Sequence, residues 1–374
     1  MPNLLAQLNS LQGSYSGAFV LFWGLMLIAC AGVWLLEWRK NSVASQIESV
    51  MFWAFGLAMV AFAALRPIGI ALDDLAYLEI FKTVCPSLEC GQWIQSPRDW
   101  GWYTLTGFLK SFWPGPRVML MIAALALVIK LWVVFKLSKR PLLALIFFTG
   151  VFYQAQDITA FRVSLSLAAF MLAIYLLVRH HPIFGGGALF IPGVFHKQAL
   201  LSPLLLLSVI LRRWYTVFVV LAVLPICLLF LGLSHQGYRE IIPYQNLPWV
   251  QLVIQQGLDS YIAAGQAGFY DKIRIMPYSY LSLIALVIFG ARAVFLSDRT
   301  LFQYCAMSMV ITCWLTWLFA GWQEPQARFF EYFALPAVLL VGNFKNNVWV
   351  NGAVIAVSAL FVVRYNVLHP LLSG

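Results

Sequence analysis

Four basic side chains stand at the ends of apolar runs: Arg66, Arg162, His196 and Arg328. Charges bordering hydrocarbon are costly to keep there and often mark functional sites. A single such arginine is explained by snorkelling of its head to the membrane interface. Three of them with a histidine, at one predicted depth, point instead to a shared ligand. A guanidinium fork binds phosphate oxygens two at a time, so a converging set suits a diphosphate. Asp73, Asp74 and Tyr77 follow Arg66 closely. On a helix Asp73 and Tyr77 share one face. Either carboxylate could take a proton from a substrate hydroxyl as general base, or an Asp could cap a helix over 74–82 and complement its dipole. His196 is the competing proton acceptor, or it steadies a phosphate. Tyr77, Tyr270 and Arg274 are candidates for holding a sugar chain.

These residues need a membrane scaffold. Of 374 residues 62% are hydrophobic and 10% charged, whereas soluble domains carry about a quarter charged residues. The first apolar run is long enough to span and reads as an anchor rather than a cleaved signal. A hydrocarbon core about 30 Å thick needs about 20 apolar residues per helix. On that measure the spans are 16–36, 49–66, 117–135, 141–155, 158–178, 183–196, 198–211, 216–233, 277–293, 300–319, 329–343 and 347–363. The expected fold is thus an all-α polytopic membrane protein of about 12 transmembrane helices, forming a single membrane unit over 1–374. The runs 183–196 and 198–211 are short, and Gly185–Gly187 with Pro192 make the first a poor regular helix. Irregular backbone at membrane depth is tolerated only where protein covers it or it faces a watery cavity.

Arg39, Lys40, Lys136, Lys139, Arg140, Arg179, Arg212, Arg213, Arg292, Arg299 and Lys345 fall on one set of short connections, opposed there by Glu37, Glu48 and Asp298. By the positive-inside rule those connections face the cytoplasm. The net charge of +10 is then mostly a topology signal and calls for no nucleic acid. Two long segments lie on the opposite, periplasmic side, at 67–116 and 234–276, both rich in Trp and Tyr. Within the first, residues 99–113 suit an amphipathic helix lying on the membrane, and Cys85 and Cys90 could pair if that side is oxidising. Lys130 alone among the candidate charges lies well inside an apolar run. Asp157, with Gln154 and Gln156, lines a cavity or forms a short polar turn.

The stretch from Arg66-Pro-Ile-Gly69 through Asp73, Tyr77 and Phe81 resembles the early signature of the EpsG-like branch of Wzy polysaccharide polymerases. Asp99-Trp-Gly-Trp-Tyr-Thr-Leu is similar to the acidic-aromatic segment that follows it there. The arginine-led helix from Arg162 to Tyr175 and the later Phe195-His196-Lys-Gln-Ala-Leu resemble the family's central motifs, and Ala327-Arg328-Phe-Phe-Glu-Tyr-Phe its late arginine. Gly69 and Asp73 stand two residues further apart than in the family pattern, which leaves Asp73 and Asp74 as alternatives. The resemblance implies a GT-C-like glycosyltransferase of the bacterial inner membrane, active on its periplasmic face. Its substrate would be an undecaprenyl-diphosphate-linked oligosaccharide, with membrane lipid around it and a chain-length regulator as a partner; no metal or cofactor is expected, because the arginines themselves can be the cations. An O-antigen ligase would share the arginines but use another acceptor. A flippase for the same lipid would show repeated halves and midplane charges.

Overall fold

In a computed structural model of the chain, residues 2–39, 43–71, 73–91, 100–179, 181–230, 276–319 and 323–368 are described. Among them the elements are helical throughout and no strand occurs. The helices are α1 (Pro2–Trp38), α2 (Ala44–Leu65), α3 (Asp74–Thr83), α4 (Ser87–Cys90), α5 (Trp100–Lys110), α6 (Arg117–Leu137) and α7 (Pro141–Phe148), which runs on as a π-helix over Thr149–Ile158. After these come α8 (Phe161–Val178), α9 (Pro182–Ala188), α10 (Ile191–Phe195), a 3₁₀ helix over Lys197–Arg212, and α11 (Tyr215–Phe230). The last group is α12 (Met276–Ser297), α13 (Arg299–Leu318), α14 (Gln323–Ala334), α15 (Ala337–Val341) and α16 (Val348–Val363), ending in a π-turn over Arg364–Leu368.

Eight of the described helices are long and apolar enough to cross a membrane, with two shorter apolar ones at Pro182–Phe195 and Tyr215–Leu229. Of the expected spans, eight are helices of membrane length among the described residues, and others are short, broken or 3₁₀ segments. Pro336, following Leu335, divides the run at 329–343 into α14 and α15.

The short run at 198–211 has a specific solution. Its 16 residues form a 3₁₀ helix, and at about 2.0 Å per residue that reaches about 32 Å, the depth of a hydrocarbon core. Its buried residues are Ala199, Ser202, Leu205, Ser208 and Leu211, a strict period of three that matches three residues per turn. The helix packs on α13, and small Ser202 and Ser208 lie in its buried stripe.

The centre of the bundle is the segment Pro141–Ile158, wholly buried along its length. Pro141 at its first turn has no N–H to leave unsatisfied there. Helices α1, α2, α6, α15 and α16 surround it. A Cβ on Gly150 would come within 2.9 Å of Ser358 Cβ, so glycine sets the approach of α16 to this central helix. A second, smaller core joins α3, α5, α6 and α8 through Tyr77, Phe81, Trp102, Met119 and Phe161. The Lys110 Nζ at the end of α5 donates to the carbonyls of Phe81 and Val84, each at 2.7 Å. That places a cation on the C-terminal end of α3, where the helix dipole favours it. Cys85 and Cys90 are joined as a disulfide beside this cap.

Candidate functional site

Helix α2 ends at Arg66 because Pro67 cannot continue it and biases its predecessor to extended backbone. Gly69 then adopts φ 106°, a region open to glycine and rarely to other residues. This turn folds the chain around the Asp74 carboxylate. Asp74 accepts from Arg66 Nη1 at 2.5 Å and Nη2 at 2.7 Å, from Gly69 N at 2.8 Å and from Ala71 N at 3.1 Å. Arg66 Nη2 also donates to the Ile158 carbonyl at 2.8 Å. Both side chains are 0% exposed. Arg66 and Asp74, the candidate diphosphate ligand and one of the candidate bases, form an ion pair that fastens α2 and α3 to the end of the central helix. Asp73, the N-cap position of α3, is the half-buried neighbour.

Arg162 opens α8 next to this pair. Its guanidinium lies 5.5 Å from the Tyr77 ring centre, while that of Arg66 lies 5.3 Å from the Phe161 ring. Tyr77 and Phe161 stack at 4.8 Å, so two cations brace one aromatic pair. Trp102 packs on Tyr77 from α5 at 5.6 Å. Tyr77, the candidate glycan contact, is 3% exposed, and its ring lies under Arg162. Burial pushes its hydroxyl up, with Arg162 pulling it down and Asp73 pushing it further up. The phenol therefore stays protonated at neutral pH. Arg162 and Asp73 both reach its surroundings, and both keep some exposed surface.

Residues one turn from Arg162 and Arg328 share a hydrogen-bonded node with the backbone of α10. Ser166 Oγ, one turn after Arg162 on α8, donates to the Pro192 carbonyl at 2.8 Å. The Tyr332 hydroxyl, one turn after Arg328 on α14, lies 3.0 Å from the same Ser166 Oγ. The Pro192 carbonyl also accepts the His196 backbone N–H at 3.1 Å. The node ties together α8, α10 and α14, the elements that carry or border Arg162, His196 and Arg328. The His196 ring is buried, with Nε2 2.8 Å from Gln198 Oε1. Arg162, Lys197 and Arg328 are half-buried. Tyr270 and Arg274 lie outside the described residues.

The polar end of the central helix joins these parts from behind. Lys130 of α6 forms a buried ion pair with Asp157, and Ser164 Oγ donates to the same Asp157 oxygen at 2.6 Å. Lys130 and Asp157 were each visible as polar residues among apolar ones; their pairing across 27 positions was not. Gln156 Nε2 donates to the Glu331 carbonyl at 2.6 Å, and Gln154 pairs with Asn366 through both amide groups at 2.9 and 3.0 Å. Glu331 Oε1 accepts from the Tyr365 hydroxyl at 3.1 Å. Arg364 donates to Ser279 Oγ at 3.1 Å and Tyr280 Oη at 3.3 Å. Glu331 stood in the sequence only as part of the motif led by Arg328, and Arg364 follows the last apolar run, where snorkelling explains a charge. A π-helix carrying buried polar groups recurs at functional sites.

Membrane-length helices around a buried polar centre define a multi-pass membrane protein. The chain belongs to the EpsG family, whose family model matches residues 49–369. It is thus a polysaccharide-polymerase-like membrane protein, of glycosyltransferase type at the general level. The match takes in every site residue named above, from Arg66 to Asn366. No curated protein and no solved structure matches the chain.

Proposed function

We propose that this protein polymerises undecaprenyl-diphosphate-linked oligosaccharide repeats by glycosyl transfer, on the periplasmic face of a bacterial inner membrane and in a GT-C-like manner. Arg162 and Arg328 bind the donor diphosphate and stabilise the charge that develops on it as it leaves. His196 steadies a phosphate oxygen. Asp73 takes the proton from the acceptor hydroxyl. The acceptor oxygen forms the new glycosidic bond as the bond from the anomeric carbon to the diphosphate breaks, with inversion. Undecaprenyl diphosphate departs with the electron pair.

The observation that carries this reading is the Ser166–Tyr332 contact at 3.0 Å, which joins the helices of Arg162 and Arg328 one turn from both guanidinium-bearing residues. The pairing of Lys130 with Asp157 also favours an enzyme over a flippase. Lys130, inside an apolar run, is neutralised by Asp157 within the fold.

The test is purified protein in lipid bilayers supplied with a synthetic lipid-diphosphate oligosaccharide. A ladder of multiples of the repeat supports the polymerase. Transfer of single repeats only to an added acceptor would make it a ligase, and movement of lipid without any new glycosidic bond would make it a transporter.

A further inference from the structure

His196 stands where α10 stops and the 3₁₀ helix begins, and both of its backbone groups are engaged. Its N–H donates to the Pro192 carbonyl at 3.1 Å, and its carbonyl accepts the Ala199 N–H at 2.9 Å. The backbone between those bonds is extended, with φ −151° and ψ 123°, so the side chain leaves the chain at a fixed corner. Gln198, in the first turn of the 3₁₀ helix, reaches back to the ring: its Oε1 lies 2.8 Å from His196 Nε2. An amide oxygen can only accept a hydrogen bond, so this contact puts a proton on Nε2. The ring is buried, while Gln198 is half-buried and outside the stripe that packs the 3₁₀ helix into the bundle.

That proton sets what the ring can offer an anion. A neutral imidazole protonated on Nε2 has a lone pair at Nδ1, which repels a phosphate oxygen. The imidazolium carries N–H on both nitrogens, one for Gln198 and one for the anion. Helices α5, α8, α9, α11, α13 and α14 pack against α10 and the 3₁₀ helix. Their charged side chains are Lys110, Arg162, Arg299, Glu324, Arg328 and Glu331, joined by Lys197 and Arg212 of the 3₁₀ helix itself. Cations predominate in that set and favour the neutral ring before a donor binds, whereas a diphosphate reverses the local sign and favours the charged one. Resting on the reading above, we propose that Gln198 is a positioning residue for the transfer. By accepting Nε2–H it makes His196 meet the donor diphosphate as an imidazolium, with Nδ1–H toward a phosphate oxygen. The ring takes the added proton from solvent as the donor binds.

The experiment uses the full chain in lipid bilayers, with undecaprenyl diphosphate lacking a glycan as a probe that binds and cannot transfer. Binding heats at mildly alkaline pH, in buffers of different ionisation enthalpy, give the proton uptake. The unsubstituted protein takes up a proton that His196→Gln does not. Gln198→Met keeps the side-chain length and removes the acceptor; it takes up much less and binds about tenfold more weakly, the worth of one charge-assisted contact. Gln198→Glu restores an acceptor oxygen and charges the ring beforehand, so it recovers most of the binding without the uptake. Nitrogen NMR of histidine-labelled protein reads the same assignment without ligand, as Nε2–H in the unsubstituted protein and a tautomer mixture in Gln198→Met. Equal weakening by Met and Glu reduces Gln198 to packing and overturns the proposal. So does a ring protonated on Nδ1 alone, or uptake no greater than in His196→Gln. Proton uptake with this probe but no new glycosidic bond from a full donor refutes the polymerase reading and leaves the Gln198 assignment standing. A ladder of repeats without uptake does the reverse.

Discussion

Ser166 and Tyr332 share a hydrogen bond of 3.0 Å between their hydroxyl oxygens, and Arg162 and Arg328 each stand one helical turn ahead of them. Because Ser166 gives its own proton to the Pro192 carbonyl, Tyr332 is the donor to Ser166. The Tyr332 hydroxyl also reaches the Ser166 carbonyl at 3.4 Å, so both of its contacts with Ser166 align two helices that are 166 positions apart in sequence. Tyr332→Phe keeps the ring against Phe170 and removes the donor. It should cost about 1 kcal/mol of stability and shorten the polymer, measured by thermal unfolding and by the product ladder from the same preparation. Unchanged product lengths would disconnect the node from the site.

The Arg66–Asp74 pair is predicted to be structural. Removing one member leaves the other charged and enclosed, at a cost of about 3–5 kcal/mol. Arg66→Met and Asp74→Leu singly should therefore lower thermal stability sharply, and the double variant should recover much of the loss. A stable Arg66→Met protein that has lost only donor binding would return Arg66 to the substrate.

Lys130 and Asp157 obey the same rule with a different consequence. Lys130→Met leaves the Asp157 carboxylate with Ser164 as its remaining side-chain partner in this node, and Ser164 lies two residues from Arg162. Stability should fall by about 3 kcal/mol or more. Lys130→Met with Asp157→Asn should be more stable than Lys130→Met alone, read by unfolding of detergent-solubilised protein.

Tyr77 separates a ring effect from a hydroxyl effect. Its phenol stays protonated because burial pushes it up, and its hydroxyl accepts the Arg162 backbone N–H at 3.4 Å, so it offers Arg162 a π face and a long hydrogen bond rather than charge. Tyr77→Phe should retain activity within about threefold, whereas Tyr77→Ala, which removes the stacked ring, should cost about 1–2 kcal/mol of donor binding. A Tyr77→Phe protein as impaired as Tyr77→Ala would assign the role to the hydroxyl.

Each of these predictions rests on a pairing, and pairings are what periodicity leaves out. Apolar runs disclosed where chain crosses hydrocarbon, since any residue there must be covered or lipophilic. Helix type was legible only in part. The three-residue stripe from Ala199 to Leu211 contains the 3₁₀ geometry, but the surrounding leucines make the run equally apolar on every face, and run length alone left it a short span. Arg66, Asp74 and Tyr77 were recognisable as a set because they lie close in sequence; that Asp74 faces Arg66 while Asp73 keeps exposed surface depends on the Gly69 turn. Ser166, Tyr332 and Pro192 carry no sequence signal of their partnership, because a serine and a tyrosine in apolar helices are unremarkable until they meet.

The most direct measurement is the product ladder from bilayer-reconstituted Arg162→Ala and Arg328→Ala given undecaprenyl-diphosphate oligosaccharide. Loss of one charged contact of this kind slows transfer about 10- to 100-fold. Each variant should therefore leave mainly single repeats on the lipid while its thermal unfolding stays near that of the unsubstituted protein. A full-length ladder from either variant would contradict the claim that these two guanidinium groups hold one diphosphate.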